Sequence, residues 1–293
     1  MAGILAPVLI WGTLFGLSYV LIALGFTLLF GVSRVLNLAY GALYMVTAYV
    51  TYYLAVEVGV GLFVSVLLAI GAAVLVGIAV FLLCVRFAPD PMRFLIVSLL
   101  VALFLQYVFE YPPLFGGETG LILPSLLPVH GILIWGVSVN PVYLWTGGIS
   151  LLLLGLVWAW VEWTSYGRAI RATAEDPETA ALFGIRVRSV YLVVVAVSSA
   201  LVAIAAALIV PAQEVTPSMW VGPFVIAFVV SVIGGLGKFK WTLPAAFLLS
   251  FSQAFVQFEY GTAGLSDIVA FGVAVAFIIA LPQGFGGIHR DAA

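Results

Sequence analysis

Nine apolar segments dominate the chain and are separated by short polar stretches. They cover residues 8–31, 41–57, 62–84, 93–110, 142–161, 189–210, 221–237, 241–258 and 265–282. A helix needs about 20 apolar residues to cross the hydrocarbon core of a bilayer, with a range of about 17–25. Segments 41–57 and 221–237 lie at the short limit, so each is either a span or a re-entrant or broken helix. The pattern predicts an all-α, polytopic membrane bundle of about eight or nine transmembrane helices.

Composition and charge agree with a membrane protein and exclude other classes. Hydrophobic residues make up 65% of the 293 residues and charged residues only 8%, too few to cover the surface of a soluble protein. The net charge of −2 and the lack of a basic tract exclude nucleic-acid binding. The single cysteine, Cys84, lies within an apolar run and is expected to serve packing.

The basic residues predict the orientation of the chain. If the nine segments alternate across the bilayer, all ten Lys and Arg residues fall on one side, which the positive-inside rule identifies as the cytoplasm. The N-terminus then lies outside and the C-terminus inside. If one short segment is re-entrant, another segment must change with it to keep this bias. We expect one transmembrane domain over residues 1–293.

Two long connections interrupt the apolar pattern. The first, residues 111–141, is predicted on the outer side and is rich in Pro and Gly, which argues against a spanning helix. It is either a plain connector, a small extracytoplasmic cap or the rim of a vestibule. The second, residues 164–188, is predicted in the cytoplasm and contains the most charged stretch of the chain, 167–188.

A short helix is expected within that charged stretch, near residues 176–184. Asp176 can cap its N-terminus, and Pro177 is tolerated at the first helical position. Ala180 and Phe183 lie within it, and Gly184 can adopt the left-handed conformation that ends a helix. An amphipathic helix held outside the bilayer suits docking to a partner protein.

A few polar side chains fall inside or between the apolar segments. They are Asn37, Tyr40, Gln106, Gln253 and Gln257. Intramembrane polar groups usually face the bundle interior, where they form bonds between helices or line a polar path. Asn37 either borders a break beside a substrate path or caps an ordinary turn. Both readings of these residues stay open, and together they are the candidate translocation path.

Known catalytic and metal-binding patterns are absent from the sequence. The stretch GGLGKF at 234–239 lacks the first glycine and the Ser or Thr of a phosphate-binding loop. His130 and His289 fall on opposite sides of the predicted membrane, and no paired cysteines occur. We expect no metal, no cofactor and no catalytic residue, so the energy for active transport must come from another subunit.

Four stretches in the order of the chain resemble the signatures of the Liv-type permeases of branched-chain amino acid ABC importers. They are RVLNLAYGALYM (34–45), RAIRATAEDPETAALFGI (168–185), SVIGGLG (231–237) and LPQGFGG (281–287). The likeness is to the first, shorter permease subunit, although family members usually carry His at the position of Tyr40. The second stretch is similar to the loop that these permeases press into their ATPase.

The resemblance implies a subunit that is not itself an enzyme. The resemblance places the chain in the plasma (inner) membrane as a multi-pass protein. Expected partners are a second, related permease in a heterodimer, two cytoplasmic ATP-binding cassette subunits and an extracytoplasmic substrate-binding protein. Glu175, Asp176, Pro177, Ala180 and Gly184 would form the coupling helix, with Arg171 and Phe183 beside them.

The expected solutes are leucine, isoleucine and valine, and urea, amides or other small organic solutes are the alternative within the family. A stand-alone secondary transporter is less favoured, because Glu110, Glu259 and Asp267 lie near the ends of spans rather than at the bilayer midplane.

Overall fold

The computed structural model describes residues 2–88, 90–111, 120–125 and 131–260, and the helical positions 268, 272–273, 275–277 and 279–280. Long helices make up most of the described part. In chain order the α-helices of this part are α1 (Ala2–Ser33), α2 (Ala39–Tyr52), α3 (Leu62–Phe87), α4 (Pro91–Glu110), α5 (Pro141–Trp163), α6 (Ser165–Glu175), α7 (Pro177–Leu182), α8 (Val187–Ile209), α9 (Val221–Gly234) and α10 (Thr242–Tyr260).

Shorter elements extend or connect these helices. A π-helical turn, Tyr53–Glu57, continues α2, and 3₁₀ turns lie at Val210–Ala212 and Phe239–Trp241. The described residues include four short strands: β1 (Leu121–Ile122), β2 (Ile132–Ile134), β3 (Val137–Val139) and β4 (Glu214–Val215).

Helix α1 is the centre of the bundle, and α5, α8, α9 and α10 pack around it. Its glycines let neighbouring helices approach closely, and polar contacts join the helices there. The hydroxyl of Ser250 donates to the carbonyl oxygen of Gly12 at 2.7 Å, and the hydroxyls of Thr27 and Ser231 lie 2.6 Å apart. Small residues and interhelical hydrogen bonds are the usual basis of helix association in a bilayer.

Five helices of the described residues are long and apolar enough to cross a membrane. They contain the spans Leu5–Ser33, Leu62–Phe87, Pro91–Glu110, Pro141–Trp163 and Val187–Ala212. The pair Val221–Gly234 and Phe239–Glu259 bends by 105° and makes a sixth span if it is counted as one. The structure therefore agrees with a polytopic helical bundle, while the count of eight or nine spans stays a prediction. Most of the predicted segment 265–282 lies outside the described residues.

Helix α2 has only 14 residues, and most of them are buried from its first turn onward. The sequence alone left this segment, 41–57, open as either a span or a re-entrant or broken helix. Its first turn is held by polar contacts: the amide of Leu38 donates to the hydroxyl of Ser98 at 3.1 Å, and the amide of Ala39 donates to Oδ1 of Asn37 at 3.1 Å. The hydroxyl of Tyr40 donates to the carbonyl oxygen of Ile22 at 2.8 Å. These bonds satisfy the irregular backbone between α1 and α2, as burial in a membrane bundle requires.

The connection 111–141 is more than an extended linker in its described part. Strands β2 and β3 form an antiparallel hairpin, and β1 pairs with β4, which follows α8. The expectation of a purely all-α chain was therefore incomplete, because β1 finds its hydrogen-bond partner about 90 residues later along the sequence. This pairing ties the connection to the segment that follows the C-terminal end of α8.

Candidate functional site

Helix α7 has the boundaries that its sequence predicted. The carboxylate of Asp176 accepts hydrogen bonds from the amides of Glu178 at 3.0 Å and Thr179 at 3.3 Å. The side-chain hydroxyl of Thr179 also donates to Asp176, and this bond, followed by the two amide bonds, lowers the pKa of the carboxyl group. Gly184 has φ +83°, the left-handed conformation expected after a helix.

One side of α7 is anchored and the other is open. Ala180 is buried with 4% of its surface exposed, and the amide of Ile185 donates to its carbonyl oxygen at 3.1 Å. Leu182 and Phe183 are 87% and 83% exposed. Two large apolar side chains presented to water on a capped helix make a surface that favours a protein partner.

Helix α6, which the sequence reasoning missed, carries α7. The hydroxyl of Thr164 caps it by accepting from the amide of Gly167 at 3.0 Å. Its inner face holds the buried residues Gly167, Ile170 and Thr173, spaced by three, and this helical periodicity was the available signal. The connection between α5 and α8 thus contains two consecutive helices rather than one helix in a loop.

Arg171 joins α6 to the end of α5. Its guanidinium group donates to the carbonyl oxygens of Val161 and Glu162 and lies 3.6 Å from the Glu162 carboxylate. Lys240 contacts the same carboxylate at 3.7 Å. A cation at the C-terminus of α5 satisfies carbonyl groups that have no partner within the helix. Arg171 therefore fixes the base of the predicted docking element rather than its tip.

Arg34 binds carbonyl groups at the C-terminal end of α6, as Arg171 does at the C-terminal end of α5. Its Nη2 atom donates to the carbonyl oxygens of Ala174 at 2.7 Å and Glu175 at 3.0 Å. Arg34 itself has φ +53°, a strained conformation for a residue with a side chain. The sequence marked Arg34 only as a cytoplasmic charge, because a contact across 140 residues leaves no local pattern.

A cleft of about 690 Å³ lies beside these contacts. Its charged lining residues are Arg34, Arg171, Glu175, Lys238 and Lys240. One wall is the turn between α9 and α10, which packs directly on α1: a Cβ atom at Gly31 would lie 2.9 Å from the Cα atom of Gly237. The ends of α1, α5, α6 and α9 therefore meet at one end of the bundle.

A second cavity, of about 460 Å³, lies inside the bundle. It is bordered by α1, α2, α5, α9 and α10 and by the residues that follow α8. The polar residues of its lining are Ser18, Tyr19, Tyr44, Tyr143, Gln213, Gln253 and Gln257. The remaining lining residues are apolar or glycine. A small organic molecule would therefore contact hydroxyl and amide groups in an otherwise apolar lining.

The candidate path residues of the sequence divide into two groups in the structure. Gln253 and Gln257 line the inner cavity. Gln106 accepts a hydrogen bond from the indole of Trp220 at 2.8 Å, which is a bond between elements. Asn37 caps the first turn of α2, and Tyr40 binds α1, so neither belongs to the lining of this cavity. In the structure, the side chains of Asn37 and Tyr40 form hydrogen bonds that hold α2 in place, and their place in a translocation path stays a prediction.

Sequence reasoning missed the hydroxyl groups of this cavity. Ser18, Tyr44 and Tyr143 lie within apolar segments, where Ser and Tyr are too common to stand out. Within the described residues, no group of three or more His, Cys, Asp or Glu side chains is placed to hold a metal ion.

Comparison with known proteins identifies the family. Residues 8–279 match the family model described as the permease component of branched-chain amino acid transport systems. The high-affinity branched-chain amino acid transport system permease protein LivH of Salmonella typhimurium is 27% identical in an alignment that covers 94% of this chain and 93% of that protein.

Further relatives come from distant organisms. The corresponding permease protein BraD of Pseudomonas aeruginosa is 26% identical, in an alignment that covers 95% of this chain and 94% of BraD. The probable permease protein LivH of Methanocaldococcus jannaschii is 26% identical, with 92% and 88% covered. No solved structure matches the chain significantly. Because the family model spans nearly the whole bundle, this chain belongs to the family of permease components of branched-chain amino acid transport systems.

Proposed function

We propose that this chain is the permease through which an ATP-driven importer moves leucine, isoleucine and valine into the cell. The single observation that carries the proposal is the family match over residues 8–279. The relatives are named as permeases of high-affinity branched-chain amino acid transport systems. In this proposal the chain pairs with a second, related permease in the inner membrane, and a substrate-binding protein delivers the solute from outside.

The proposed orientation places α6 and α7 in the cytoplasm, within a single domain over residues 1–293. Four of the basic residues, Arg34, Arg171, Lys238 and Lys240, line one cleft at the end of the bundle where α1 and α9 finish. That grouping supports the assignment of this end to the cytoplasm by the positive-inside rule. If α2 with its π turn and α10 each cross the bilayer, the number of spans approaches the predicted eight or nine.

The coupling element in this proposal is α7, and two cytoplasmic ATP-binding subunits receive it. Leu182 and Phe183 enter the partner, Asp176 and Gly184 fix the two ends of the helix, and Pro177 starts it. ATP hydrolysis takes place in the partner, and the motion passes to this chain as a rigid-body displacement of α6 and α7.

Two arginine contacts would carry that displacement into the bundle. Arg171 links α6 to α5, and Arg34 links Ala174 and Glu175 to the junction of α1 and α2. Helices α1, α2 and α5 supply Ser18, Tyr44 and Tyr143 to the inner cavity. A shift of the coupling element therefore has a direct physical route to the proposed solute path.

The inner cavity is the proposed solute path, with Gln253 and Gln257 as its amide groups. The described lining includes no charged side chain, while it does include the apolar surfaces of Phe15, Ile22 and Met219. This composition suits a small solute without net charge. Urea and amides fit the same description less well, because they would leave the apolar wall without a partner.

The test is reconstitution in liposomes of the chain with its second permease, the ATP-binding subunits and the substrate-binding protein. The expected result is uptake of labelled leucine that requires ATP and every one of these subunits. Leucine uptake by the chain alone in the absence of ATP would contradict the proposal and favour a secondary transporter. Uptake of urea with no uptake of leucine would keep the ATP-driven mechanism and replace the solute.

A further inference from the structure

A pocket of about 620 Å³ lies outside the cavity and cleft described above. It is formed by the end of α3, the start of α4, the start of α8 and the chain between α1 and α2. Its walls are mostly apolar, with Phe81, Leu82, Val85 and Leu192 among the lining residues. The charged residues of its described lining are two arginines, Arg86 and Arg188, and both are exposed.

The start of α8 adds a further positive charge to this pocket. Val187, the first residue of α8, belongs to the lining together with Arg188. The N-cap residue of α8 makes no side-chain hydrogen bond, and the first turn contains no acidic residue. No acidic side chain in the first turn offsets the partial positive charge at the start of this 23-residue helix, although the amides of Val187 and Ser189 already donate to the carbonyl oxygens of Ile185 and Arg186.

The surface that adjoins the pocket is apolar. Leu82 and Val85 line the pocket and are also exposed, and Phe87 and Met92 continue this exposed surface along the ends of α3 and α4. Both helices are long and apolar enough to cross a membrane. The pocket thus places two guanidinium groups and a helix N-terminus at the end of the exposed apolar surface of α3 and α4. A bilayer surface would meet the protein at this level.

We propose that this pocket binds an acidic phospholipid of the leaflet on the side of α7. The phosphate group lies between Arg86, Arg188 and the N-terminus of α8, and an acyl chain follows Leu82 and Val85. Arginine forms paired hydrogen bonds with phosphate oxygens, and basic pockets between transmembrane helices suit acidic lipid headgroups. The carboxylate of Asp90 caps α4 by accepting from the amide of Arg93 at 3.4 Å, and the ion pairs found among the described residues do not join it to Arg86 or Arg188.

The position of the pocket connects lipid binding to the coupling element. Arg188 lies six residues after Leu182, and the pocket also contains Ser33 and Val35, which flank Arg34. A bound lipid would therefore brace α8 against the junction of α1 and α2, next to the contact that holds α6.

The experiment is native mass spectrometry of the full chain, purified in detergent and stripped of lipid. It is titrated with phosphatidylglycerol or with phosphatidylcholine of the same acyl chains. We expect at least one phosphatidylglycerol to bind about tenfold more tightly than phosphatidylcholine, since juxtamembrane basic residues attract anionic lipid. The pair Arg86→Gln and Arg188→Gln should abolish this preference, and Arg86→Lys with Arg188→Lys should retain most of it.

The matched control is Arg93→Gln, which removes one exposed arginine from the start of α4 outside the pocket lining. It should leave the lipid preference unchanged. Equal binding of the two lipids by the unaltered chain, or a preference that survives the double Gln variant, would overturn the proposal. Displacement of the bound lipid by glycerol 1-phosphate would also overturn it, because the acyl chain would then contribute nothing. So would loss of the lipid on addition of the ATP-binding subunits, which would mark the pocket as a protein interface.

Discussion

The guanidinium group of Arg34 donates to the carbonyl oxygen of Glu175 at 3.0 Å, across 141 positions of the sequence. The first residue belongs to the junction of α1 and α2, and the second is the last residue of α6. This bond, with its neighbour at Ala174, joins the base of the proposed coupling element to the helices that border the inner cavity.

Replacing Arg34 should therefore weaken coupling more than assembly. Arg34→Gln removes about 1 kcal/mol of anchoring, less than a buried charged hydrogen bond contributes, because Arg34 is exposed. In the reconstituted importer we expect solute uptake per ATP hydrolysed to fall severalfold, while the ATP-binding subunits remain bound. Arg34→Lys should give an intermediate ratio, and Arg93→Gln should give the ratio of the unaltered protein. An unchanged ratio in Arg34→Gln would remove this residue from the coupling route.

The end of α7 offers a test of backbone conformation. Gly184 has φ +83° and open space around its Cα atom, so a side chain meets conformational strain and no steric clash. Gly184→Val should cost about 1–2 kcal/mol locally, whereas Gly184→Asn should be tolerated, because Asn adopts the left-handed region more readily. Hydrogen exchange of the amides of Phe183 and Gly184 in the purified chain measures the difference. Equal exchange in the two variants would show that the left-handed residue does not stabilise α7.

The contact between Gly31 and Gly237 predicts a strict requirement for glycine. Gly237 has φ +80°, and a Cβ atom there would lie 2.6 Å from the Cα atom of Gly31. Gly237→Ala should lower stability by at least about 1–2 kcal/mol from the backbone conformation alone, and the clash adds to this. Thermal unfolding in detergent checks the effect against Gly71→Ala, because Gly71 lies in α3 with open space around it. Comparable midpoints for the two variants would mean that the turn moves freely away from α1.

The inner cavity predicts which glutamine substitutions affect transport. Gln257→Glu would introduce a charge into a lining with no other charged side chain among its described residues. We expect uptake to fall by about tenfold or more, since a charge without a partner is costly at this half-buried position in a mostly apolar lining. ATP hydrolysis stimulated by the loaded binding protein should persist. Phe255→Leu, at an exposed position of the same helix, is the control and should leave uptake unchanged. Normal uptake by Gln257→Glu would exclude the cavity as the solute path.

Local chemistry explains which features could be predicted from the sequence. The ends of α7 were predictable because Asp176, Pro177 and Gly184 act through bonds and dihedral angles within a few residues of themselves. Gln253 and Gln257 were predictable as inward-facing residues because unpaired amides are costly in a bilayer.

Long-range contacts explain what could not be predicted. The pairing of β1 with β4, the bond from Arg34 to Glu175 and the approach of Gly31 to Gly237 each join residues more than 90 positions apart. None of them leaves a periodic signal in one segment. The hydroxyls of Tyr44 and Tyr143 meet in the cavity lining only after α2 and α5 have packed against α1 and its neighbours. The short α2 was ambiguous for the same reason, because its buried first turn depends on Ser98 of α4.

The central claim is that α7 docks into an ATP-binding subunit, and a pull-down of the detergent-solubilised chain tests it most directly. The bait is compared with a double variant, Leu182→Ser with Phe183→Ser, in which two side chains more than 80% exposed are removed without disturbing the core. Tyr166→Ser, an exposed change on α6, is the control. The account predicts that the double variant loses most of its bound ATP-binding subunit, while the unaltered chain and the control retain it. Full retention by the double variant would contradict the claim and move the interface away from α7.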